Sequence, residues 1–131
     1  MATHSATDIK NAVALGRYTA WASRPQPLTL SLYTGTQPEA GSAITTQTLL
    51  ISIPFFQPFA TISGSNITFR LHSDAEAVAT GVISWGRITD YDGVWILDAS
   101  ANSVDGFFLC DTAMIEEGNN IVILSATRSE V

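Results

Sequence analysis

The stretch ATGVISWGRITDYDGVWILDA, residues Ala79–Ala99, decides the fold class. β-Branched and aromatic residues dominate both of its arms, as is typical of β-strands. Asp92-Gly93 lies between the arms and is a strong hairpin signal, because glycine adopts the positive φ that tight hairpin turns need. We therefore predict a β-hairpin with its turn centred near Asp90. Trp85 and Trp95 are then expected to be near cross-strand neighbours, which adds about 0.5–1 kcal/mol to the hairpin.

The chain on either side of this hairpin alternates short strand patterns with turn-forming residues. The predicted strands are Leu28–Tyr33, Thr48–Ile53, Phe59–Ser63, Asn66–Leu71, Gly106–Cys110, Ala113–Ile115 and Asn120–Ala126. Many short strands at close spacing indicate an antiparallel β-sandwich or barrel, here of about eight strands. We assign residues 27–131 to this single, mainly β domain.

Residues 1–26 form an N-terminal arm and helix. Apolar residues recur at spacings of three and four between Ile9 and Trp21, which predicts one amphipathic α-helix over Thr7–Ala22. Arg24-Pro25 ends it, because proline disfavours a helical residue before it. Two interpretations stay open. The helix packs on an end of the β domain, or it docks on a partner subunit with Tyr18 and Trp21 as anchors.

The run Pro54-Phe55-Phe56-Gln57-Pro58-Phe59 combines three phenylalanines with two prolines. Because proline cannot donate a ladder hydrogen bond, we expect this run to lie outside the middle of a sheet. Its phenylalanines either fold over an open end of the barrel or contact another chain. Aromatic residues are enriched at interface hot spots. The candidate interface residues are therefore Tyr18, Trp21, Phe55, Phe56 and Phe59.

Charge limits the possible partners. Only 14% of the residues are charged, against about 25% in typical soluble domains, and the net charge is −6. Six basic residues scattered singly give no patch that could neutralise phosphates, which argues against nucleic acid and anionic lipid as partners.

No stretch approaches the roughly 20 apolar residues of a membrane span. The N-terminus shows no signal-peptide pattern, so we expect no export through a secretory signal. A surface with so few charges predicts contact with other subunits.

The sequence gives only weak support for a metal site or a reactive cysteine. A single cysteine, Cys110, excludes an internal disulfide and a cysteine-based metal cage, and its apolar surroundings predict a buried side chain. His72, Asp74 and Glu76 would share one side of an extended strand and could bind a metal, although a solvated loop is the preferred interpretation. The remaining candidates, for calcium, are Asp90, Asp92, Asp98 and Asp105, which we interpret as turn residues because EF-hand spacing is absent.

Signatures of catalysis are also absent from the sequence. It contains no phosphate-binding glycine loop and no Gly-x-Ser-x-Gly elbow. Its two histidines, His4 and His72, are the only side chains with an ordinary pKa near neutrality. We therefore expect a non-catalytic protein with no cofactor and no metal.

The order of segments resembles a group of small virion proteins of tailed bacteriophages. The matching positions are Leu30–Pro38, Thr48–Leu50, Ala79–Gly81, Trp85 and Arg87–Gly93. The resemblance implies a capsid decoration (cement) protein with a β-sandwich body, located on the capsid surface of the virion after synthesis in the host cytoplasm. It also implies a homotrimer that bridges subunits of the major capsid protein.

Two segments depart from this group, the Phe55–Phe59 run and Ala101–Asp105. They are where a specific partner contact could differ. The alternatives are a tail, neck or fibre-base component, or a carbohydrate- or receptor-binding β module, since β-sandwiches often expose aromatic side chains that stack on sugars.

Overall fold

A computed structural model describes residues 6–39 and 41–129. Within them lie one helix, α1 (Ala6–Ala22), and nine strands. The strands are β1 (Thr29–Tyr33), β2 (Leu49–Ser63), β3 (Asn66–Leu71), β4 (Gly81–Val82), β5 (Trp85–Thr89), β6 (Trp95–Asn102), β7 (Phe108–Cys110), β8 (Met114–Ile115) and β9 (Ile123–Ser129). Seven strands close a barrel in the order β1-β2-β3-β9-β7-β6-β5, and β4 pairs with β8 separately. The predicted mainly β fold with one N-terminal helix is confirmed.

Strand β1 closes the barrel because it pairs with β2 on one side and β5 on the other. Its leucines, Leu30 and Leu32, point into the core, as the period of two along a strand requires. Gly86 on β5 lies against them. A Cβ there would come within 2.9 Å of Leu32 and 3.2 Å of Phe108, so the glycine makes room for the core.

The central hairpin forms, but the predicted tryptophan pair is wrong. Trp85 is the Cα partner of Ser100, and Trp95 is that of Thr89, so the two indoles lie at opposite ends of the hairpin. The reason is that the turn lies further along the chain than Asp90. Trp85 is buried and stacks instead on Tyr33, with ring centroids 4.6 Å apart.

Strand β2 continues through both prolines, which corrects the prediction that this run lies outside the middle of a sheet. Pro54 aligns with Thr29 at the start of β1, where β2 begins to exchange one partner strand for another. The pairing with β3 then shifts register between Phe55 and Ala60, and Pro58 lies in this bulge. Residues in a bulge are released from the ladder, so a missing N–H costs no ladder hydrogen bond there.

Strands β6 and β7 are parallel, with Ala101 opposite Phe108, whereas the sequence predicted antiparallel neighbours only. The connecting loop turns back tightly around Asn102. The side-chain Oδ1 of Asn102 accepts hydrogen bonds from the N–H groups of residues 104–106 at 2.9, 2.8 and 2.8 Å. Gly106 completes the loop, because a Cβ there would lie 2.6 Å from the Asn102 nitrogen.

Helix α1 packs on β2 and β3 of its own barrel. Ala14 is buried, and the Tyr18 ring stacks on the Phe59 ring with centroids 5.1 Å apart. The ring centroids of Trp21 and Phe69 are 5.9 Å apart. The predicted helix is therefore confirmed over Ala6–Ala22, and its aromatic residues cover the barrel. Docking of the helix on a partner subunit stays a prediction. His4 lies outside the described residues.

Candidate interaction surfaces

The turn of the central hairpin is held from inside by Asp90. This side chain is buried, and its Oδ1 accepts hydrogen bonds from the N–H groups of Asp92 and Val94, both at 2.9 Å. The N–H of Gly93 donates to the Asp90 carbonyl at 3.0 Å, and Gly93 has φ +83°. These hydrogen bonds fix the backbone of the turn. Glycine at position 93 adopts the left-handed conformation that the turn needs without steric cost.

Asp90 also joins the hairpin to the segment after α1. Arg24 Nε donates to Asp90 Oδ2 at 3.0 Å, and the N–H of Tyr91 donates to the Pro25 carbonyl at 3.0 Å. Burial alone would raise the pKa of Asp90. The hydrogen bonds from Val94, Arg24 and Asp92 outweigh burial and lower the pKa below its usual value, so Asp90 is held as a carboxylate.

A second buried ion pair supports the strands of the hairpin. Arg87 Nε and Nη2 donate to the two oxygens of Asp98 at 2.7 and 3.0 Å, and Nη2 also donates to the Ser42 carbonyl at 2.6 Å. The N–H of Gly41 donates to Asp98 Oδ2 at 3.1 Å. The hydrogen bond with Asp98 raises the pKa of Arg87 despite the opposing effect of burial. The pair thus ties the β1–β2 loop to the hairpin.

The fixed turn presents apolar side chains to solvent. Tyr91 is 70% exposed and Trp95 39% exposed, with Val94 exposed between them. One side of the Trp95 indole lies against Gly41, where a Cβ would come within 3.3 Å of it. We call Tyr91, Val94 and Trp95 the hairpin-tip surface. Because its backbone is already ordered, binding there costs little conformational entropy.

A second exposed group surrounds Phe56 on the β2 bulge. The His72 imidazole stacks on Phe56 with centroids 3.9 Å apart, and the Arg70 Cζ lies 5.3 Å from the Phe56 centroid. Arg70 Nη1 donates to the Pro58 carbonyl at 3.2 Å. We call Phe56, Arg70 and His72 the Phe56 cluster. It combines an exposed aromatic ring with a guanidinium, an attractive cation–π arrangement.

A third exposed surface lies on the small sheet. Val82 on β4 and Met114 on β8 are Cα partners, and both are exposed, as is Val78 just before β4. Their neighbours Ile83 and Ile115 are buried on the opposite side. We call Val78, Val82 and Met114 the β4–β8 face. Sequence analysis missed it, although apolar residues at successive positions, Val82-Ile83 and Met114-Ile115, were a signal that both sides of the sheet are apolar.

The five predicted interface residues differ in their surroundings. Phe55 and Phe59 are only 2% and 1% exposed, so they belong to the core and their assignment as surface anchors is corrected. Phe55 shares the inward face of Ile53, two residues earlier, whereas Phe59 follows the bulge and is buried against Tyr18. Tyr18 and Trp21 are half-buried on the barrel, and Phe56 is 39% exposed. Phe56 is the one of the three phenylalanines whose ring reaches the surface.

The acidic side chains considered as metal ligands have separate partners. Asp90 and Asp98 pair with arginines, whereas Asp105 accepts a hydrogen bond from Asn102 at 3.2 Å. Asp74 Oδ1 lies 3.9 Å from His72 Nδ1. In the part of the chain that the structure describes, no three His, Cys, Asp or Glu side chains are grouped closely enough to hold a metal ion.

Cys110 is buried, as predicted. Burial is the main cause that raises the pKa of its thiol to about 11, with a smaller contribution from the charge of Asp111. The thiol is therefore protonated at neutral pH and unreactive.

Comparison with protein families, curated proteins and solved structures finds no match to this chain. Within residues 6–39 and 41–129, no helix combines the length and the hydrophobicity that a bilayer crossing needs. The chemistry of the three exposed surfaces therefore carries the functional argument.

Proposed function

We propose that this protein is a non-catalytic structural component of a tailed-phage virion, a capsid decoration protein. It binds across junctions between major capsid protein subunits and stabilises the shell. The observation that carries this proposal is the hairpin-tip surface, on which Tyr91 and Trp95 are exposed from a turn that the buried Asp90 side chain holds through two hydrogen bonds. The motif Arg87–Gly93, on which the phage resemblance partly rests, forms this same hairpin.

The hairpin-tip surface suits protein binding for two physical reasons. Tyrosine and tryptophan are enriched among residues that contribute most to interface affinity. A rigid backbone lowers the entropy that binding must overcome. The Asp90 contacts with Arg24 and with the turn provide that rigidity. Two aromatic anchors on a fixed turn can therefore seat in a junction between capsid subunits.

A decoration protein acts through binding free energy alone. Genome pressure pushes capsid subunits apart, and a protein bound across their junction must dissociate before they separate. A ligand that binds only the closed state shifts the equilibrium toward it by mass action. This role needs no catalytic group, cofactor or metal.

Self-association is part of the proposal, with a homotrimer as the expected assembly. Only 14% of the residues are charged. Val82 and Met114 expose apolar side chains on the small sheet, and Val78 exposes another just before it. Contiguous exposed apolar patches are a feature of protein contact sites. A ring of identical copies on the capsid would cover them.

Heating of capsids tests the shell-stabilising role. Emptied capsids of the phage that encodes the protein are mixed with excess purified protein, and their disruption temperature is followed by light scattering. We expect a higher disruption temperature than for bare capsids. An unchanged temperature, with the protein left in the supernatant after sedimentation, contradicts a decoration role. Co-sedimentation with isolated tails instead would indicate the tail, neck or fibre-base alternative.

The same aromatic exposure favours one alternative function, a carbohydrate- or receptor-binding module. Tyr91, at 70% exposure, could stack on a sugar ring. A glycan array probed with the purified protein separates the two functions. Saturable binding to one glycan class that is lost in Tyr91→Ser would favour the carbohydrate module over capsid decoration.

A further inference from the structure

We propose that successive copies of this chain join head to tail, with the β4–β8 face of one copy docked on the Phe56 cluster of the next. This inference rests on the self-association in the proposed function and names the surfaces that carry it. The two surfaces lie on different parts of the fold. One is formed by β4, β8 and Val78 just before β4, and the other by β2, β3 and His72 just after β3.

The β4–β8 face offers apolar side chains beside a carboxylate. Val82 and Met114 are Cα partners, and the exposed Glu116 and Glu117 follow β8 directly in the chain. The N–H of Glu117 donates to Thr80 Oγ1 at 2.9 Å, which holds the acidic turn beside the sheet. This face thus presents exposed valine and methionine side chains with negative charge at one end.

The Phe56 cluster offers the opposite chemistry, an aromatic ring beside a cation. Arg24 and Arg87 pair with Asp90 and Asp98. Within the described part of the chain, Arg70 contacts the Pro58 carbonyl and the Phe56 ring and no carboxylate. Its guanidinium therefore keeps N–H donors for an incoming carboxylate.

Complementarity identifies a second copy as the occupant. Met114 or Val82 can cover the Phe56 ring while Glu116 reaches Arg70, so the contact satisfies the apolar and the charged groups together. Methionine is well suited to this, because its sulfur packs favourably on aromatic rings. A net charge of −6 makes most of the surface repel another acidic copy, and this pairing gives the approach a defined orientation. A contact between two different patches is heterologous, so it closes into a ring if its rotation allows.

The test uses sedimentation velocity on the full chain and on two variants. Arg70→Glu reverses the charge of the Phe56 cluster, whereas Met114→Glu places a charge on the β4–β8 face. The matched control is Val104→Glu, which puts the same charge at an exposed position in the β6–β7 loop. Thermal unfolding verifies that each variant is folded.

We expect the wild type and Val104→Glu to be oligomers, and Arg70→Glu and Met114→Glu to be monomers. When the two monomeric variants are mixed, each supplies the surface that the other has lost, so they should form a heterodimer that cannot extend. A monomeric wild type overturns the inference. So does wild-type mass for either Arg70→Glu or Met114→Glu, or a mixture of these two variants that forms no complex. A monomeric wild type that still co-sediments with capsids overturns this inference alone, whereas an oligomer that ignores capsids overturns the decoration role.

Discussion

The Nε of Arg24 donates a hydrogen bond to Oδ2 of Asp90 at 3.0 Å and joins the segment after α1 to a hairpin turn 66 residues later. The same carboxylate holds the turn through the N–H groups of Asp92 and Val94. One side chain therefore fixes both the end of the helical segment and the conformation of the hairpin-tip surface. Asp90 is the residue on which the proposed binding surface depends most.

Asp90→Asn is expected to destabilise the protein, because it removes the charge that pairs with Arg24. Asp92→Asn is the matched control. It makes the same change in the same turn at an exposed side chain. Urea unfolding measures the free energy of unfolding of both variants. Equal stabilities for the two would contradict the role assigned to Asp90.

The loss caused by Asp90→Asn should depend on pH. The ordinary aspartate pKa is about 3.9, and the pKa of Asp90 is lowered in the folded protein. The stabilising contribution of its charge is fully present above the ordinary pKa and is lost as pH falls through the lower folded pKa. The stability difference between wild type and Asp90→Asn should therefore be constant from neutral pH to about pH 5 and shrink below about pH 4. A difference that grows on acidification contradicts this assignment.

Asp98→Ala is expected to destabilise the protein by about 3 kcal/mol, because it leaves the buried Arg87 without its carboxylate. The double variant Arg87→Met with Asp98→Leu removes both charges and should recover much of this loss. Urea unfolding of the two variants gives the comparison. A double variant as unstable as Asp98→Ala would contradict the explanation that the loss comes from leaving the Arg87 charge buried without a partner.

Phe59→Ala and Phe56→Ala test the corrected assignment of the phenylalanine run. Phe59 is buried in contact with Tyr18, so its truncation should cost about 3–5 kcal/mol. Phe56 is exposed, so the same change should cost less than about 1 kcal/mol. Thermal or urea unfolding distinguishes them. Similar losses for both would contradict the inward orientation of Phe59.

Gly106→Ala and Gly16→Ala should change stability in opposite directions. A Cβ at Gly106 would meet backbone atoms of Asn102 and Ala101 at 2.6 and 3.0 Å, so alanine should destabilise by about 1–3 kcal/mol. Nothing lies within 4 Å of a Cβ at Gly16 in α1, so alanine should stabilise by about 0.5–1 kcal/mol. A neutral Gly106→Ala in urea unfolding would contradict the tight β6–β7 loop.

The sequence predicted those strands and the helix whose patterns are contained within a few neighbouring residues. Strand β3 forms over Asn66–Leu71 as predicted, because its alternating residues follow the Gly64-Ser65 turn. The helix likewise begins within one residue of its predicted start. Fold class followed from such local signals, since many short strands separated by turns leave few architectures.

Register could not be predicted, because it depends on contacts between distant segments. The register of the β5–β6 pair changes between Ile88 and Thr89, and the hairpin turn lies beyond Asp90. Trp95 is therefore paired with Thr89 rather than with Trp85. The β4–β8 face was missed for the same reason. Its two strands are separated by β5, β6 and β7, and no local signal pairs them.

The phenylalanine run shows where a valid rule was applied too broadly. Prolines are disfavoured in a continuous ladder, yet β2 changes partner strands at Pro54 and bulges at Pro58. Had the strand been continued through Pro54, its period of two would have placed Phe55 on the face of Ile53 and Phe56 on the other, whereas the bulge at Pro58 breaks that period before Phe59. The candidate site was therefore predictable in part, once the prolines were accepted at a bulge.

The most direct test of the proposed function is co-sedimentation of wild type and Tyr91→Ser with emptied capsids of the tailed phage that, on this proposal, encodes the protein. Val104→Ser is the control, an exposed apolar residue outside the hairpin-tip surface. We predict saturable binding of wild type and Val104→Ser, and at least a roughly tenfold weaker affinity for Tyr91→Ser. Wild type that stays in the supernatant, or equal occupancy of all three proteins, would contradict capsid binding through the hairpin tip.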